Sequence, residues 1–157
     1  MATFEGRYRA QIDEDYVVFI IGFRPNKLWQ ARRWVPVGLA MPPMVRELRA
    51  QAPAAGMLAV SYGIMYGSLT LVQHWRSFEH LTAYAQDAEQ RHLPAWRRYN
   101  QAWRGNNAVG VFHETYRVRA GEYEAIYVDM PRVGLAAAGD HLAVGSSTTA
   151  AERMATG

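Results

Sequence analysis

The chain contains no cysteine among its 157 residues. This absence excludes disulfide bonds, catalysis by a thiolate and every metal site that depends on cysteine ligands. Apolar runs are short, far below the roughly 20 residues that a membrane-spanning helix requires. The first fifteen residues also lack the apolar segment of a secretory signal. We therefore expect a cytoplasmic protein without a membrane partner.

Basic runs and phosphate-binding loops are equally scarce. The net charge is +3, and the basic residues are scattered, with pairs at Arg32–Arg33 and Arg97–Arg98. Because there is no basic tail and no dinucleotide-binding glycine motif, we expect no nucleic-acid partner. Hydrophobic residues make up 50% of the chain, and it has five Trp and nine Tyr. Such aromatic side chains fill a core and also line sites for small apolar or aromatic molecules.

The spacing of apolar residues predicts alternating strands and helices after an irregular arm at residues 1–14. Ser77 is a plausible first cap of a helix, whereas Gly56 and Gly67 mark turns. The predicted order is β, α, β, β, α, β, β. The strands are expected at 16–23, 58–66, 68–75, 109–118 and 123–128, the last two joined by a hairpin turn, and the helices at 27–35, 43–51, 78–85 and 89–103.

This order predicts an α+β fold: a ferredoxin-like antiparallel sheet with helices on one face. Such a sheet leaves its other face uncovered. Two copies packed face to face would bury it as a dimeric α+β barrel, so we expect a homodimer. We assign residues 1–139 to this single domain. Residues 140–157 are rich in Ser, Thr, Ala and Gly and are expected to form a flexible C-terminal tail.

Histidines are the main candidates for chemistry. His92 leads a stripe with Trp96, Tyr99 and Trp103, which share one face of a helix. A histidine in this position can bind haem iron or act as a base beside a flat substrate. An aromatic stripe of this kind is also typical of a helix that packs into a core.

His113 alternates with Val109, Val111 and Thr115 on one face of its predicted strand. If that face lines an apolar cavity, His113 is either functional or hydrogen-bonded to a structural partner. His74, beside Trp75 at a strand end, is a weaker candidate. His80 and His141 are expected at the surface, and the chain lacks the closely spaced ligands of a non-haem metal centre.

Two tyrosines are candidates for binding a ligand. Tyr62 and Tyr66 lie four residues apart on one predicted strand and are therefore expected on the same face. The Tyr62 hydroxyl can donate a hydrogen bond to a ligand oxygen. Cross-strand packing is the commoner role for such residues.

Four segments resemble a known family: HWRSFEHL at 74–81, HLPAW at 92–96, GVFHETY at 110–116 and YVDMP at 127–131. They are similar to the small monooxygenases typified by the fumagillin-pathway polyketide monooxygenase, which are related to the antibiotic-biosynthesis monooxygenases. The resemblance covers roughly residues 15–139. It implies a dimeric α+β barrel that oxygenates an aromatic or polyketide substrate of secondary metabolism, often without metal or flavin. His92 or His113 would then be the catalytic base, with Tyr62, Trp75 and Trp96 as pocket walls.

A second branch of the same barrel class leaves the cofactor undecided between none and haem b. In the haem-degrading monooxygenases, a strand that ends in Trp is followed by Ser, Phe and a later His that ligates haem. Trp75, Ser77, Phe78 and His92 are similar in order, which would make His92 the axial ligand. A haem-binding module without turnover, or a small-molecule-binding or structural dimer without catalysis, remains a further alternative.

Overall fold

A computed structural model describes residues 2–86, 107–145 and 149–155. The helix predicted at 89–103, with His92, Trp96 and Tyr99, lies outside these residues. The strands of the described part are β1 Phe4–Gln11, β2 Tyr16–Pro25, β3 Met57–Met65, β4 Ser68–Trp75, β5 Val109–Val118, β6 Ile126–Met130 and β7 Asp140–Ala143. Its helices are α1 Ala31–Ala55, α2 Phe78–Gln86, α3 Leu135–Ala138 and α4 Ala150–Ala155.

The main sheet has four antiparallel strands in the order β3-β4-β2-β5. This is the ferredoxin-like arrangement, in which the first and third strands of the unit lie side by side at the centre. The hairpin between β3 and β4 turns through Tyr66 and Gly67, both with positive φ. The α+β fold class predicted from the sequence is confirmed.

Helix α1 differs from the prediction of two helices at 27–35 and 43–51, which was wrong. It continues through its prolines as one helix of 25 residues. An apolar stripe that includes Val37, Val45 and Leu48 is buried along its length. Burying a continuous stripe offsets the hydrogen bonds that the prolines remove. Gly56 ends the helix in the left-handed conformation, with φ of 77°, and its N–H donates to the Ala52 carbonyl.

A second layer covers part of the sheet face that points away from α1 and α2. It is a three-stranded sheet in the order β6-β1-β7, with α3 packed beside it. The arm predicted as irregular is thus a strand, and β6 pairs with β1 instead of forming the predicted hairpin with β5. Strand β7 pairs with β1 beyond Gly139, where we had placed the end of the domain.

Three buried clusters hold the layers together. Two lie between the main sheet and the helices: one is built on Val17, Leu48, Met57, Trp75 and Leu81, and the other on Phe23, Val37 and Val109. The third lies between the two sheets and is built on Ala10, Tyr16, Leu135 and Ala136. The two clusters on the helix side lie toward opposite ends of β2, and this separation shapes the candidate site.

Candidate functional site

A stretch of the sheet's helix side lies between these two clusters. Register pairs Ile21 of β2 with His113 of β5, and Phe19 with Thr115. Paired residues point to the same face, so these four side chains form one patch. Phe19 and Ile21 are half-buried, whereas His113 and Thr115 are exposed. We call these four side chains the His113 patch.

The His113 patch combines apolar side chains with a titratable group. The Phe19 and His113 ring centroids lie 5.9 Å apart, with the rings tilted by 41°. An exposed imidazole beside an aromatic ring can reach a proton on a planar molecule that lies over that ring. His113 is thus exposed on an open face of the sheet and not enclosed in the apolar cavity considered in the sequence analysis.

A positive charge lies beyond one end of the His113 patch. Arg117 follows Thr115 by two residues on β5 and so lies on the same face. Its guanidinium carbon lies 4.7 Å from the centroid of the Phe78 ring, at the start of α2. Sequence reasoning missed Arg117, although the spacing of 113, 115 and 117 on a strand would have placed it on the same face as His113, about 13 Å along the strand.

Trp75 is a core residue and does not form a pocket wall. Its exposed fraction is 0%, its Nε1 donates to Gln73 Oε1 at 2.9 Å, and its ring lies 5.4 Å from that of Tyr84. It therefore anchors α2 to the end of the sheet and is inaccessible to a ligand on the His113 patch.

His74 lies on the opposite face of the sheet from His113. It pairs with Val18, in register with the residues that the second layer covers, and its ring lies 6.2 Å from that of Tyr16. Only 6% of the residue is exposed, and its Nδ1 has no hydrogen-bond partner among the described residues. Burial lowers the pKa of His74 from 6.5 to about 4. His74 therefore cannot act together with His113 on one substrate.

The two candidate tyrosines do not share a face. Tyr62 lies on the helix side, with the Arg49 guanidinium 5.9 Å from its ring. Tyr66 follows the last residue of β3 with φ of 56°, and its ring contacts Phe112, which lies against Gly22 on the opposite face. Tyr62 is also three strands from His113, a separation of about 14 Å at ordinary strand spacing.

The remaining histidines have structural surroundings. His80 Nδ1 lies 2.9 Å from the Ser77 hydroxyl, and that hydroxyl accepts from the His80 N–H, as expected for the predicted cap of α2. His141, expected at the surface, is half-buried and stacks on Tyr8 with ring centroids 4.2 Å apart. No three His, Asp or Glu side chains in the described ranges are grouped closely enough to hold a metal ion.

Comparison with known families matches residues 16–135, from the first strand of the main sheet to the start of α3, to the monooxygenase af470-like family. The chain belongs to this family. The matched residues include the His113 patch and both helix-side clusters. It confirms the resemblance seen in the sequence to small monooxygenases related to those of antibiotic biosynthesis.

One solved structure shows the same fold at low identity. The crystal structure of aldoxime dehydratase in complex with butyraldoxime is 15% identical, with a TM-score of 0.65 over 80% of this chain. This chain spans only 37% of the length of that enzyme. A possible oxidoreductase of unknown function from Bacteroides thetaiotaomicron VPI-5482 is 10% identical, over 68% of this chain and 100% of its own, and its TM-score of 0.42 supports no argument. Comparison with curated proteins found no match.

Proposed function

We propose that this protein is an oxygenase that binds an apolar, ring-bearing molecule, phenolic or polyketide-like, over the His113 patch. Membership of a monooxygenase family supports the reaction class. The observation that carries the proposal is the exposed His113 imidazole beside the half-buried Phe19 ring. A flat apolar ligand gains by covering that ring and the adjacent Ile21 side chain.

His113 serves in this proposal as the general base. It removes a proton from an acidic CH₂ group or a phenol of the substrate, and the resulting anion is electron-rich enough to react with molecular oxygen. For a CH₂ group, oxygen adds to the carbanion carbon, and the resulting peroxide anion takes the proton back from His113 to give a hydroperoxide. Loss of water then leaves a ketone, so that R₂CH₂ and O₂ give R₂C=O and H₂O. The substrate supplies all the electrons.

Arg117 favours the anionic form of such a substrate. A guanidinium on the same face as His113 attracts the negative charge that develops on proton removal. Its contact with the Phe78 ring positions it, and the Glu79 carboxylate of α2 lies close enough to interact with its charge. We therefore assign Arg117 to stabilising the substrate anion.

Haem b is the alternative cofactor, with His92 as its expected axial ligand. His92 lies outside the described residues, and so do Trp96 and Tyr99. His74 is enclosed between the two layers, and its surroundings offer no room for a porphyrin. The proposed reaction therefore needs no haem, and an absorption spectrum with added haem tests the alternative.

A homodimer remains part of the proposal. The second layer covers the end of the sheet at Tyr16 and Val18, whereas Ile20 and Val72 stay half-buried and Tyr116 is exposed on the same face. These apolar side chains support pairing with a second copy. Sedimentation as a monomer at micromolar concentration would remove this part of the proposal.

The test is oxygen uptake by the purified protein with a panel of anthrones and polycyclic phenols. His113→Ala should fold normally but lose about a hundredfold or more in kcat, and added imidazole should restore part of it. His80→Ala is the matched control, since His80 lies at the cap of α2. Unchanged rates in His113→Ala would exclude it as the base. A Soret band after haem addition that is lost in His92→Ala would instead favour the haem enzyme.

A further inference from the structure

One end of the molecule carries large apolar side chains in contact with solvent. Trp29 is 79% exposed and Leu28 66% exposed, in the turn between β2 and α1. Ile64 and Tyr66, 76% and 66% exposed, lie at the hairpin between β3 and β4. Register places both segments at the same end of the sheet, because Leu69 pairs with Phe23 on one side and Ile64 on the other. We call this the apolar end.

The two chain segments that form this end are basic and contain no acidic residue. No Asp or Glu occurs between Asp15 and Glu47, or between Glu47 and Glu79. Arg24, Lys27, Arg32 and Arg33 all belong to this part of the chain, and Arg32 and Arg33 are exposed in the first turn of α1. The guanidinium of Arg24 lies beside Gly67 of the hairpin.

The opposite end of the sheet carries both acidic residues and the cations Arg117 and Arg119. Asp13, Glu14 and Asp15 precede β2, and the Asp15 carboxylate accepts from the Ala120 N–H. Glu122 follows in the same turn. The opposite end therefore mixes both signs of charge, whereas the segments of the apolar end combine cations with exposed apolar groups and carry no acidic residue.

We propose that the apolar end binds the surface of an anionic phospholipid bilayer. Tryptophan and leucine insert at the boundary between headgroups and acyl chains, and neighbouring Arg and Lys pair with anionic headgroups. A nucleic acid would match the charge but would not bury the apolar side chains of Leu28 and Ile64. Because the sequence has no spanning segment, we expected no membrane partner, but peripheral binding requires only exposed side chains. None of the described helices is long and apolar enough to cross a membrane.

The test is co-sedimentation of the full chain with vesicles of phosphatidylcholine, with and without phosphatidylserine. Binding is expected only to the vesicles that contain phosphatidylserine, and it should weaken as salt is raised. The double variant Arg32→Gln, Arg33→Gln should lower the partition coefficient about 25-fold, at about fivefold per charge. Arg119→Gln, at the opposite end of the sheet, is the matched control and should bind like the wild type.

A second pair of variants tests insertion. Leu28→Ala with Trp29→Ala should lower partition about tenfold or more, whereas Met154→Ala, an exposed apolar residue of α4, should not. Tryptophan fluorescence should shift to the blue on vesicles, and Trp29→Phe should abolish that shift while binding is retained.

Three results would overturn the proposal. The first is failure to bind phosphatidylserine vesicles at low salt, including the case in which the protein retains a single-stranded oligonucleotide instead. The second is equal binding to uncharged vesicles. The third is a dimer that Leu28→Ala with Trp29→Ala converts to a monomer, which would assign this end to a second copy. None of these results depends on His113 or on turnover.

Discussion

His74 should make the protein lose stability as the solution is acidified. Its imidazole is buried against the second layer, which lowers its pKa from 6.5 to about 4. Between these two values the unfolded chain binds a proton that the folded protein excludes. Stability is therefore complete above pH 6.5 and falls as the pH drops toward 4. Integrating this linkage gives a loss of about 2 kcal/mol between pH 7 and pH 5, and about 3 kcal/mol once both forms are protonated.

The measurement is urea unfolding at pH 7 and pH 5, followed by tryptophan fluorescence, in the wild type and in His74→Leu. Leucine keeps the site apolar, so the variant should fold and should lack about 2 kcal/mol of the acid-induced loss. His113→Ala is the control, because it removes an exposed histidine and should keep the pH dependence.

Some dependence should persist in His74→Leu. Burial, with a smaller effect from Arg132, also lowers the pKa of His141, and this acts in the same direction. If the wild type and His74→Leu lose the same free energy between pH 7 and pH 5, the argument that His74 is held neutral by burial fails.

Two further predictions concern packing. Gly56→Ala should destabilise the protein by about 1 kcal/mol or more, because φ is 77° and a Cβ would lie 2.3 Å from the His80 ring; an unchanged urea midpoint would contradict this. Trp75→Ala, at a residue with no exposure, should cost about 3–5 kcal/mol, whereas Trp29→Ala should stay within about 0.5 kcal/mol. Equal losses at the two tryptophans would contradict the burial assigned to them.

The sequence predicts the main sheet well because its signals are local. A continuous β-branched and aromatic run marks β2, alternation marks β5, and Gly56, Gly67 and Ser77 act at the turns and cap assigned to them. The second layer could not be predicted in the same way. Arg7 and Arg9 interrupt the apolar pattern of β1, and its pairing with β6 and β7 joins residues more than a hundred positions apart.

The uninterrupted helix α1 was missed for a different reason. Pro36, Pro42 and Pro43 are strong local signals against a helix. They are overruled by a tertiary effect, the burial of one apolar stripe against both helix-side clusters. Sequence alone gives the stripe but not the surface that covers it.

For the site, alternation placed His113 with Thr115 correctly but failed for the tyrosines. The rule that residues four apart share a face holds only inside a strand. Strand β3 ends at Met65, and Tyr66 then adopts a positive φ that sends its ring to the opposite face. An error of one residue in the strand boundary was enough to give the wrong face.

The parity of strand positions also decides what each of the two candidate histidines does. His113 pairs with Ile21, an odd position of β2, and so faces the helix side, where its ring remains accessible. His74 pairs with Val18, an even position, and so faces the second layer, where it is enclosed. A slip of one residue in either pairing would exchange accessible and enclosed positions. The two histidines therefore differ in environment because of register: His113 is open to solvent, whereas enclosure of His74 should link folding stability to pH.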